Sequence, residues 1–437
     1  MKKSVRIVIG VGCCMLLIIS WLVVLNSKSA AEKQLVFINQ AVAYMDDGIF
    51  IRAIPLLEEA AELNSVHTIT AENELKKAYL ALIDNSGFSR KYISLLEKQM
   101  DRRNAQPDVF VEAANYYFNN SKIPDALTVL KDGIEKIGDS GLVALYENSR
   151  YAFSMGRTAY ENIAAIYNQT AQVQIDGKWG IANPGGNMII PCQYDHISTF
   201  SEDRVIVKKA DSIYAVDRDN NRIAVTYENI LDFGNYGHNR ISLFIDGSWR
   251  RSSGDFEIGT AVFEEIGMYS YGYVAAKTDG KWGVIDSMMQ WLISPQYDGV
   301  IQDELGRCYA QGAVFVRLGN DVKLIINGEY IGDIYEDARP FGDEGYAAVK
   351  KNGKWGFIDT KGVEVLPFVF DDALSFGQHL AAVKQGELWG YISIYGNMVI
   401  DAVFHDAKSF SGGSAPVLTQ QGWQFITLVE FKRGISL

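Results

Sequence analysis

The feature that most constrains the fold of this chain is a Trp-Gly pair that returns at a nearly constant spacing. The copies around Trp179, Trp282 and Trp355 share the sequence Gly-Lys-Trp-Gly, and Trp389 is also followed by glycine. With altered copies included, eight residues in chain order hold this slot: Trp179, Tyr214, Trp249, Trp282, Val322, Trp355, Trp389 and Trp423. A period of about 34 residues is typical of a repeat architecture, in which each supersecondary unit packs against its neighbours.

A second anchor, an aromatic residue usually followed by an acidic one, comes 13 to 15 residues after each slot except the last. These aromatic residues are Tyr194, Tyr227, Phe263, Tyr297, Tyr335, Phe370 and Phe404. Tyr160 precedes Trp179 by 19 residues, which is the same separation as that of Phe370 from Trp389. The array therefore begins half a unit before its first tryptophan and ends on Trp423, which indicates eight whole units.

Within one unit, the local sequence favours short β-strands joined by tight turns. Residues 354–358 and 363–370 predict two strands around a glycine-containing turn, and further strands are expected at 373–376 and 380–384. A buried tryptophan brings a large apolar surface, and the glycine beside it lets the ring lie against a neighbouring backbone. The half-unit offset is how a closed propeller completes one blade from both chain ends. We therefore predict a propeller-like array of about eight units, with an open β-solenoid as the alternative.

These motifs resemble those of the bacterial WG-repeat family, also described as KWG repeats, over about residues 160–431. The Gly-Lys-Trp-Gly segment, the Ile-Asp turn, the Tyr-Asp pair and the Ala-Ala-Val-Lys strand recur in the same order. The second, third and fifth copies depart from the pattern, because the Trp-Gly pair is lost or altered there. The resemblance implies a repeat β domain that is often joined to other modules, and it implies no activity. The recurring aromatic residues are accordingly predicted to be packing anchors.

The N-terminus has the pattern of a membrane anchor. Lys2, Lys3 and Arg6 precede the apolar stretch 7–25, which as a helix would be about 28 Å long, close to the thickness of the hydrocarbon core. The basic residues before this stretch predict that the N-terminus stays in the cytoplasm and that the bulk of the chain lies outside. We therefore predict a single-pass transmembrane signal anchor in a bacterial cell membrane, with a cleaved signal peptide as the alternative.

Between residues 31 and 153 the apolar residues follow a helical period. Phe37, Tyr44 and Ala53 lie at offsets that resemble a tetratricopeptide repeat, and a second copy runs from 110 to 133. A plain helical bundle or stalk is the alternative. The predicted fold class is thus α+β multidomain, with these parts: a cytoplasmic stub and transmembrane helix at 1–30, tetratricopeptide-like helices at 31–155, and an all-β WG-repeat domain at 156–437.

The sharpest candidate for a metal site mimics a calcium-binding loop and consists of Asp217, Asp219, Asn221 and Glu228. Its sixth position is Arg222, where a tight cation loop needs glycine. The segment also falls where the other copies place their hairpin turn. We therefore expect a structural turn there, and we predict neither a metal ion nor another cofactor.

The net charge of −12 argues against nucleic acid, because phosphate binding needs a basic surface. The linear motifs of nucleophilic hydrolases, phosphate loops and metalloproteases do not occur in the sequence. We predict a non-catalytic binding or scaffold protein that has a protein partner, with a cell-wall polymer as a second candidate ligand. The alternatives are a cell-envelope hydrolase or its accessory subunit, and a structural spacer. Tyr269, Tyr271 and Trp291, outside the recognised register, are predicted to be exposed and are the better candidates for ligand contact.

Overall fold

The computed structural model describes residues 29–201, 203–223, 229–253, 257–310 and 312–429. The chain forms two compact units, Met1–Glu147 and Asn148–Leu437. No helix among the described residues is both long and apolar enough to cross a membrane, because each carries charged side chains. The predicted fold class, which included a transmembrane helix, is therefore wrong on this point. The stretch 7–25, for which this helix was predicted, lies outside the described residues.

The described part of the first unit is helical. Its seven helices are α1 (29–46), α2 (Phe50–Glu62), α3 (Thr68–Ala81), α4 (Ser86–Met100), α5 (Pro107–Asn119), α6 (Ile123–Ile137) and α7 (Ser140–Ser149). Small residues such as Ala53 and Ala60 are fully buried, as close helix packing requires. Gly133 lies against Phe110, and a Cβ at this glycine would come within 2.8 Å of the phenyl ring. That these helices are tetratricopeptide repeats stays a prediction.

The described part of the second unit consists of antiparallel sheets, or blades, that follow one another along the chain. Blade 1 comprises β2 (Asn162–Ile163), β3 (Ala171–Ile175), β4 (Lys178–Ala182) and β5 (Met188–Tyr194). Blade 2 comprises β6 (His196–Ile197), β7 (Arg204–Lys209), β8 (Ser212–Asp217) and β9 (Arg222–Ile223). Blade 3 comprises β10 (Ile230–Phe233), β11 (Arg240–Ile245) and β12 (Ser248–Ser253). Blade 4 comprises β13 (Glu265–Ile266), β14 (Tyr273–Thr278), β15 (Lys281–Asp286) and β16 (Trp291–Tyr297).

The remaining four blades repeat the same arrangement. Blade 5 comprises β17 (Gly299–Val300), β18 (Ala313–Leu318), β19 (Asp321–Ile326) and β20 (Glu329–Tyr335). Blade 6 comprises β21 (Asp337–Ala338), β22 (Tyr346–Lys351), β23 (Lys354–Asp359) and β24 (Glu364–Phe370). Blade 7 comprises β25 (Asp372–Ala373), β26 (Leu380–Gln385), β27 (Leu388–Ser393) and β28 (Met398–Phe404). Blade 8 comprises β29 (Asp406–Ala407), β30 (Ser414–Thr419), β31 (Gly422–Leu428) and, from the other end of the unit, β1 (Phe153–Met155).

The ring closes in blade 8, which takes strands from both ends of the unit. β1 pairs with β31 in antiparallel fashion. Tyr160 and Trp423 form a further bridge, in which each donates its backbone N–H to the other's carbonyl oxygen, at 2.8 and 2.9 Å. Trp389 is paired with Phe404 in the same way inside blade 7. The predicted closure of an eight-unit propeller is therefore confirmed, and the open solenoid is excluded.

The glycine that follows the tryptophan has a packing role in this ladder. Trp179 lies opposite Tyr194, and the register shifts directly beyond that pair because the fourth strand contains extra residues. A Cβ on Gly180 would come within 2.7 Å of the backbone nitrogen of Cys192 on that strand. The Trp-Gly pair thus combines a buried ring with the space for a bulge in the adjacent strand.

Candidate functional site

A third set of recurring residues lies at the end of the first strand of each blade, six residues after the aromatic anchor in the regular copies. Its members are Ile166, Phe200, Tyr236, Tyr269, Tyr309, Phe341, Phe376 and Phe410. Tyr269 is only 1% exposed, so its prediction as an exposed ring was wrong. It is instead packed under the guanidinium of Arg240, whose carbon lies 5.2 Å from the ring centroid. The regular spacing of this third anchor was the signal that would have placed Tyr269 in the core.

Blade 5 contains an insertion that the sequence analysis missed. Its slot residue Val322 follows Trp282 by 40 residues, whereas the other intervals between slots are 33 to 35 residues. The extra residues lie between β17 and β18 and form a segment, 301–309, that we call the plug loop. The long interval was the signal that would have revealed it.

The plug loop connects blades that are not neighbours in the ring. The backbone carbonyl of Leu305 accepts a hydrogen bond from Asn235 Nδ2 of blade 3 at 3.3 Å. The carboxylate of Glu304 pairs with Lys408 of blade 8. Because blade 5 touches both of these blades through the same loop, the loop crosses the axis of the propeller and the first strands are the innermost.

A cavity of about 170 Å³ lies beside the plug loop, where the first strands of six blades meet. Arg307 Nε donates to Asp303 Oδ2 at 2.6 Å, and the Tyr271 hydroxyl donates to Asp343 Oδ1 at 2.6 Å. The hydrogen bond to Asp343, with partial burial, raises the pKa of Tyr271 to about 12. Arg339 on the same wall lies 3.5 and 3.4 Å from two carboxylates of blades 6 and 7. The charged wall is therefore held by internal pairs, and it suits the binding of a small polar group.

One position directly after the first strand of each blade, which we call the cover position, lies on the same sheet face as the tryptophan slot, which Ile213 rather than Tyr214 occupies in blade 2. It is identified by its backbone N–H, which donates to the second strand. The residues at the cover position are Ala164, Ser198, Gly234, Gly267, Ile301, Arg339, Leu374 and Lys408.

The size of the cover residue decides how far each tryptophan is buried. The guanidinium carbon of Arg339 lies 4.4 Å from the ring centroid of Trp355, and Lys408 Nζ lies 5.1 Å from that of Trp423. The three tryptophans with long cover residues are nearly inaccessible: Trp355 is 3%, Trp389 7% and Trp423 9% exposed. The three with alanine or glycine at the cover position are only half-buried: Trp179, Trp249 and Trp282. The indoles are thus core residues in blades 6 to 8 and partly surface residues in blades 1, 3 and 4.

The acid that follows the aromatic anchor ties neighbouring blades together. Asp371 accepts hydrogen bonds from Lys354 Nζ of blade 6 at 2.6 Å and from the backbone N–H of Gly386, in a hairpin turn of blade 7, at 2.7 Å. Asp195 and Asp298 each make the same two hydrogen bonds, one from a lysine of one blade and one from a backbone N–H in a turn of the next blade. The hydrogen bond from the lysine is the main reason why the pKa of each of these three carboxyls is lowered. The recurring acid is therefore a structural link.

The calcium-like segment forms a hairpin turn, as its place in the repeat predicts. Asp217 accepts hydrogen bonds from the backbone and the side chain of Asn221, at 2.7 and 3.2 Å. Asp359 closes the corresponding turn of blade 6 by accepting two backbone N–H groups at 2.8 and 2.9 Å. Asp219 is exposed in the same turn, and Glu228 lies outside the described residues. No group of His, Cys, Asp and Glu in the described part of the chain is arranged to hold a metal ion.

The other candidate residues are single surface or core groups. Tyr271 is 52% and Trp291 37% exposed, and the Trp291 ring stands edge-on to Phe263 at 6.4 Å. Cys192 and Cys308 are both free thiols. Burial raises the pKa of Cys308 to about 12, which makes this thiol a poor nucleophile at neutral pH.

Comparison with known families identifies the repeats of the second unit. The family described as "WG containing repeat" matches at 179–211, 260–282, 282–304, 327–355, 355–389 and 389–423. WG-containing repeats are thus found across the C-terminal region. No curated protein matches the sequence.

Several solved structures resemble this chain at low identity. Kluyveromyces lactis Hsv2 is 9% identical, with a TM-score of 0.36, over 53% of this chain and 93% of that one. The Neurospora crassa Pan2 WD40 domain is 12% identical, with a TM-score of 0.35, over 62% of this chain and 89% of that one. A eukaryotic initiation factor is 11% identical, with a TM-score of 0.39, over 61% and 84%. These TM-scores are low, and the assignment as a propeller rests on the strand pairing of this chain.

Proposed function

We propose that this chain is a protein-binding scaffold, which holds a partner on its repeat surfaces and catalyses no reaction. A groove of about 600 Å³ in the helical unit, between α3, α4 and α5, carries this proposal. Concave grooves formed by stacked helices are extended surfaces on which a segment of another protein can lie.

The groove combines exposed apolar side chains with a polar group that lacks a partner. Ile69 is 59% and Leu80 43% exposed at its rim. Gln99 is 5% exposed, and its Oε1 atom has no hydrogen-bond partner among the described residues. A buried acceptor without a donor costs roughly 1–3 kcal/mol, which a ligand N–H would recover once the side chain turns toward the groove. A peptide segment offers both apolar side chains and N–H donors, so it fits this groove.

Ion pairs hold the walls of the groove in place. Arg102 Nη2 donates to the fully buried carboxylate of Glu72 at 2.6 Å. Lys76 of α3 pairs with Glu112 of α5 across the groove. Walls that are fixed before binding reduce the entropy that association costs. The groove is therefore suited to recognition of a defined segment.

The propeller supports binding more than catalysis. The charged groups of its axial cavity form internal pairs, as Asp303 does with Arg307 and Asp343 with Tyr271. General acid–base catalysis instead needs a group that is placed to exchange a proton with a substrate. The repeat β-propeller is consistent with an interaction scaffold.

Two finer points stay predictions from the sequence. The location outside the membrane of a bacterial cell rests on the N-terminal residues 1–30, most of which lie outside the described part of the chain. A cell-wall polymer stays a second candidate ligand beside a protein. Co-sedimentation of the purified chain with isolated cell-wall material measures that alternative directly.

The groove is tested by the double substitution Ile69→Glu and Leu80→Glu in the full chain. The matched control is Val66→Glu, because Val66 is 80% exposed and does not line the groove. Partners are captured by photo-crosslinking in the native cells and identified by mass spectrometry. We expect the double variant to lose a captured protein at least tenfold relative to the control. Equal capture by the two variants would remove the groove from the proposal, and turnover of a substrate by the purified chain would overturn the non-catalytic assignment.

A further inference from the structure

We infer, on the basis of the proposed scaffold function, that the pocket in front of Trp249 in blade 3 receives a cationic side chain from a basic segment of the partner. An arginine or lysine would place its charged group over the indole face. The chemistry is indicated by the propeller itself, because two other blades hold such a cation within the chain.

The internal cations show what the space over a slot tryptophan accepts. In blade 6 this space holds the guanidinium of Arg339, 4.4 Å from the Trp355 centroid, and in blade 8 it holds Lys408, 5.1 Å from the Trp423 centroid. A cation within about 6 Å of an aromatic centroid is attracted by the negative face of the ring. The fold therefore provides a cation site at this position of the blade.

Blade 3 corresponds to blade 6 residue by residue at this place. In blade 6, Asp337, Lys350 and Trp355 are paired side by side across the first, second and third strands. In blade 3 the corresponding residues are Asp232, Phe244 and Trp249. The cover residues are Arg339 and Gly234, which donate their backbone N–H groups to the second strand at 2.8 and 2.9 Å. Blade 3 thus has glycine where blade 6 has the cation.

The carboxylates that hold Arg339 also have counterparts in blade 3. Arg339 Nη1 lies 3.5 Å from Asp337 Oδ2 of its own blade, and its Nη2 lies 3.4 Å from Asp372 Oδ1 on the first strand of the next blade. The corresponding residues are Asp232 in blade 3 and Glu265 on the first strand of blade 4. A guest cation over Trp249 would therefore meet Glu265, which lines the pocket; Asp232 does not line it and instead faces His196 of blade 2 at 3.8 Å.

Glu265 already has one cationic partner and has capacity for a second. Its Oε1 accepts a hydrogen bond from Lys277 at 2.6 Å, and its Oε2 has no partner among the described residues. Asp337 shows the same sharing in blade 6, since Arg317 donates to its Oδ1 at 3.0 Å while Arg339 approaches its Oδ2. One carboxylate can thus hold two cations in this fold.

The pocket is open because Gly234 has no side chain, and the packing around this position does not require glycine. Its volume is about 410 Å³, and Trp249, Glu265 and the plug loop form its walls. A Cβ on Gly234 would meet no atom closer than 3.7 Å. Gly267, the cover residue of blade 4, differs, because a Cβ there would come within 2.5 Å of the Gly306 carbonyl oxygen of the plug loop. The plug loop explains why glycine is required at position 267. At position 234 no neighbour requires glycine, and its effect is that the face of Trp249 stays accessible.

The charge of the molecule also favours a basic partner. The chain has a net charge of −12, and the pocket contains the carboxylate of Glu265, whereas that of Glu304 is paired with Lys408. Complementary charge speeds association and disfavours acidic competitors. A basic segment is therefore the occupant to which the pocket is matched, rather than an acidic or neutral one.

The pocket is tested on the full chain with small probes. The probe is N-acetyl-arginine amide, and N-acetyl-citrulline amide serves as its neutral analogue of nearly equal shape. Binding is followed by NMR through the indole N–H signal of Trp249, which is assigned by its disappearance in Trp249→Phe. We expect arginine amide to shift this signal and to bind at least tenfold more tightly than citrulline amide. Equal binding of the two probes, or tighter binding of N-acetylglucosamine than of arginine amide, would overturn the inference.

Two substitutions provide a matched pair. Gly234→Arg places the blade 6 cation into blade 3 and should abolish binding of arginine amide, whereas Gly234→Ala should retain it. If Gly234→Arg does not fold, Glu265→Gln decides the matter, since it should weaken arginine binding about tenfold and leave citrulline binding unchanged. Unchanged arginine binding in folded Gly234→Arg, or in Glu265→Gln, contradicts the assignment.

Failure of the pocket and failure of the scaffold function give different results. The groove variant Ile69→Glu with Leu80→Glu should bind arginine amide as the unmodified chain does. If the probe binds but no partner protein is captured, the pocket stands and the proposed function fails. If a partner is captured equally by the unmodified chain and by Gly234→Arg, and the probe does not bind, the pocket fails and the scaffold function stands.

Discussion

The ring closes through Tyr160, and the substitution Tyr160→Ala should therefore loosen blade 8 before any other blade. Tyr160 is 3% exposed, and its ring stands edge-on to Phe425 at a centroid distance of 6.1 Å. Truncation of a buried aromatic side chain to alanine costs roughly 3–5 kcal/mol. In the other four-stranded blades the chain runs continuously from the third to the fourth strand, but in blade 8 these strands come from opposite ends of the unit. The lost free energy should therefore appear first as separation of β1 from β31.

The matched control is Phe370→Ala, because Phe370 is 5% exposed and partners Trp355 inside a continuous blade. Urea denaturation should show a loss of about 3–5 kcal/mol for both variants. Native-state hydrogen exchange should show faster exchange of the β1 and β31 amides in Tyr160→Ala, and no faster exchange there in Phe370→Ala. Tyr160→Phe keeps the ring and should cost less than about 1 kcal/mol. The reasoning is refuted if β31 remains as protected in Tyr160→Ala as it is in Phe370→Ala.

Three further predictions follow from the repeat geometry. Gly390→Ala should cost about 1–3 kcal/mol in urea denaturation, because the new Cβ would meet backbone atoms of the adjacent strand at 2.5 and 2.7 Å; Gly299→Ala, with its nearest atom at 3.5 Å, should cost much less. Asp371→Asn should lower the urea midpoint at pH 7. Since the pKa of Asp371 is lowered in the folded state, this difference should shrink as the pH falls below about 4 and vanish once the pH is below the lowered pKa, and a difference that persists when the carboxyl is protonated in the folded state would contradict the role of the ionised form. Arg339→Gly should expose Trp355, shift its fluorescence to the red and create a second site for arginine amide; an unchanged spectrum would contradict the covering role of Arg339.

The sequence predicted the features of the propeller that depend on spacing along the chain. The offset between Tyr160 and Trp423 indicated closure from both ends, because each aromatic anchor must find a tryptophan at a fixed place in the ladder. The glycine after four of the slot tryptophans indicated close approach of a neighbouring backbone, and the bulged fourth strand beside Gly180 makes that approach. The turn assigned to the segment around Asp217 follows from the same register.

The sequence did not predict the features that depend on contacts between blades. The plug loop was missed because only the mean period was considered, although the interval between Trp282 and Val322 is too long. Tyr269 was misplaced because its burial by Arg240 depends on contacts between blades, and the six-residue spacing from Phe263 that marks the third anchor was not recognised. The cover position was missed for the same reason, since the burial of Trp249 depends on Gly234, a residue 15 positions earlier on a non-adjacent strand.

The cover position has a consequence for how such a protein can change. A single codon that exchanges glycine for arginine or lysine there closes an indole face, and the reverse exchange opens one, while the backbone of the blade stays as it is. The cover positions in front of slot tryptophans, apart from Gly267 beside the plug loop, can thus be opened or closed one at a time, and the pattern of open and closed indole faces can differ between proteins that share this scaffold.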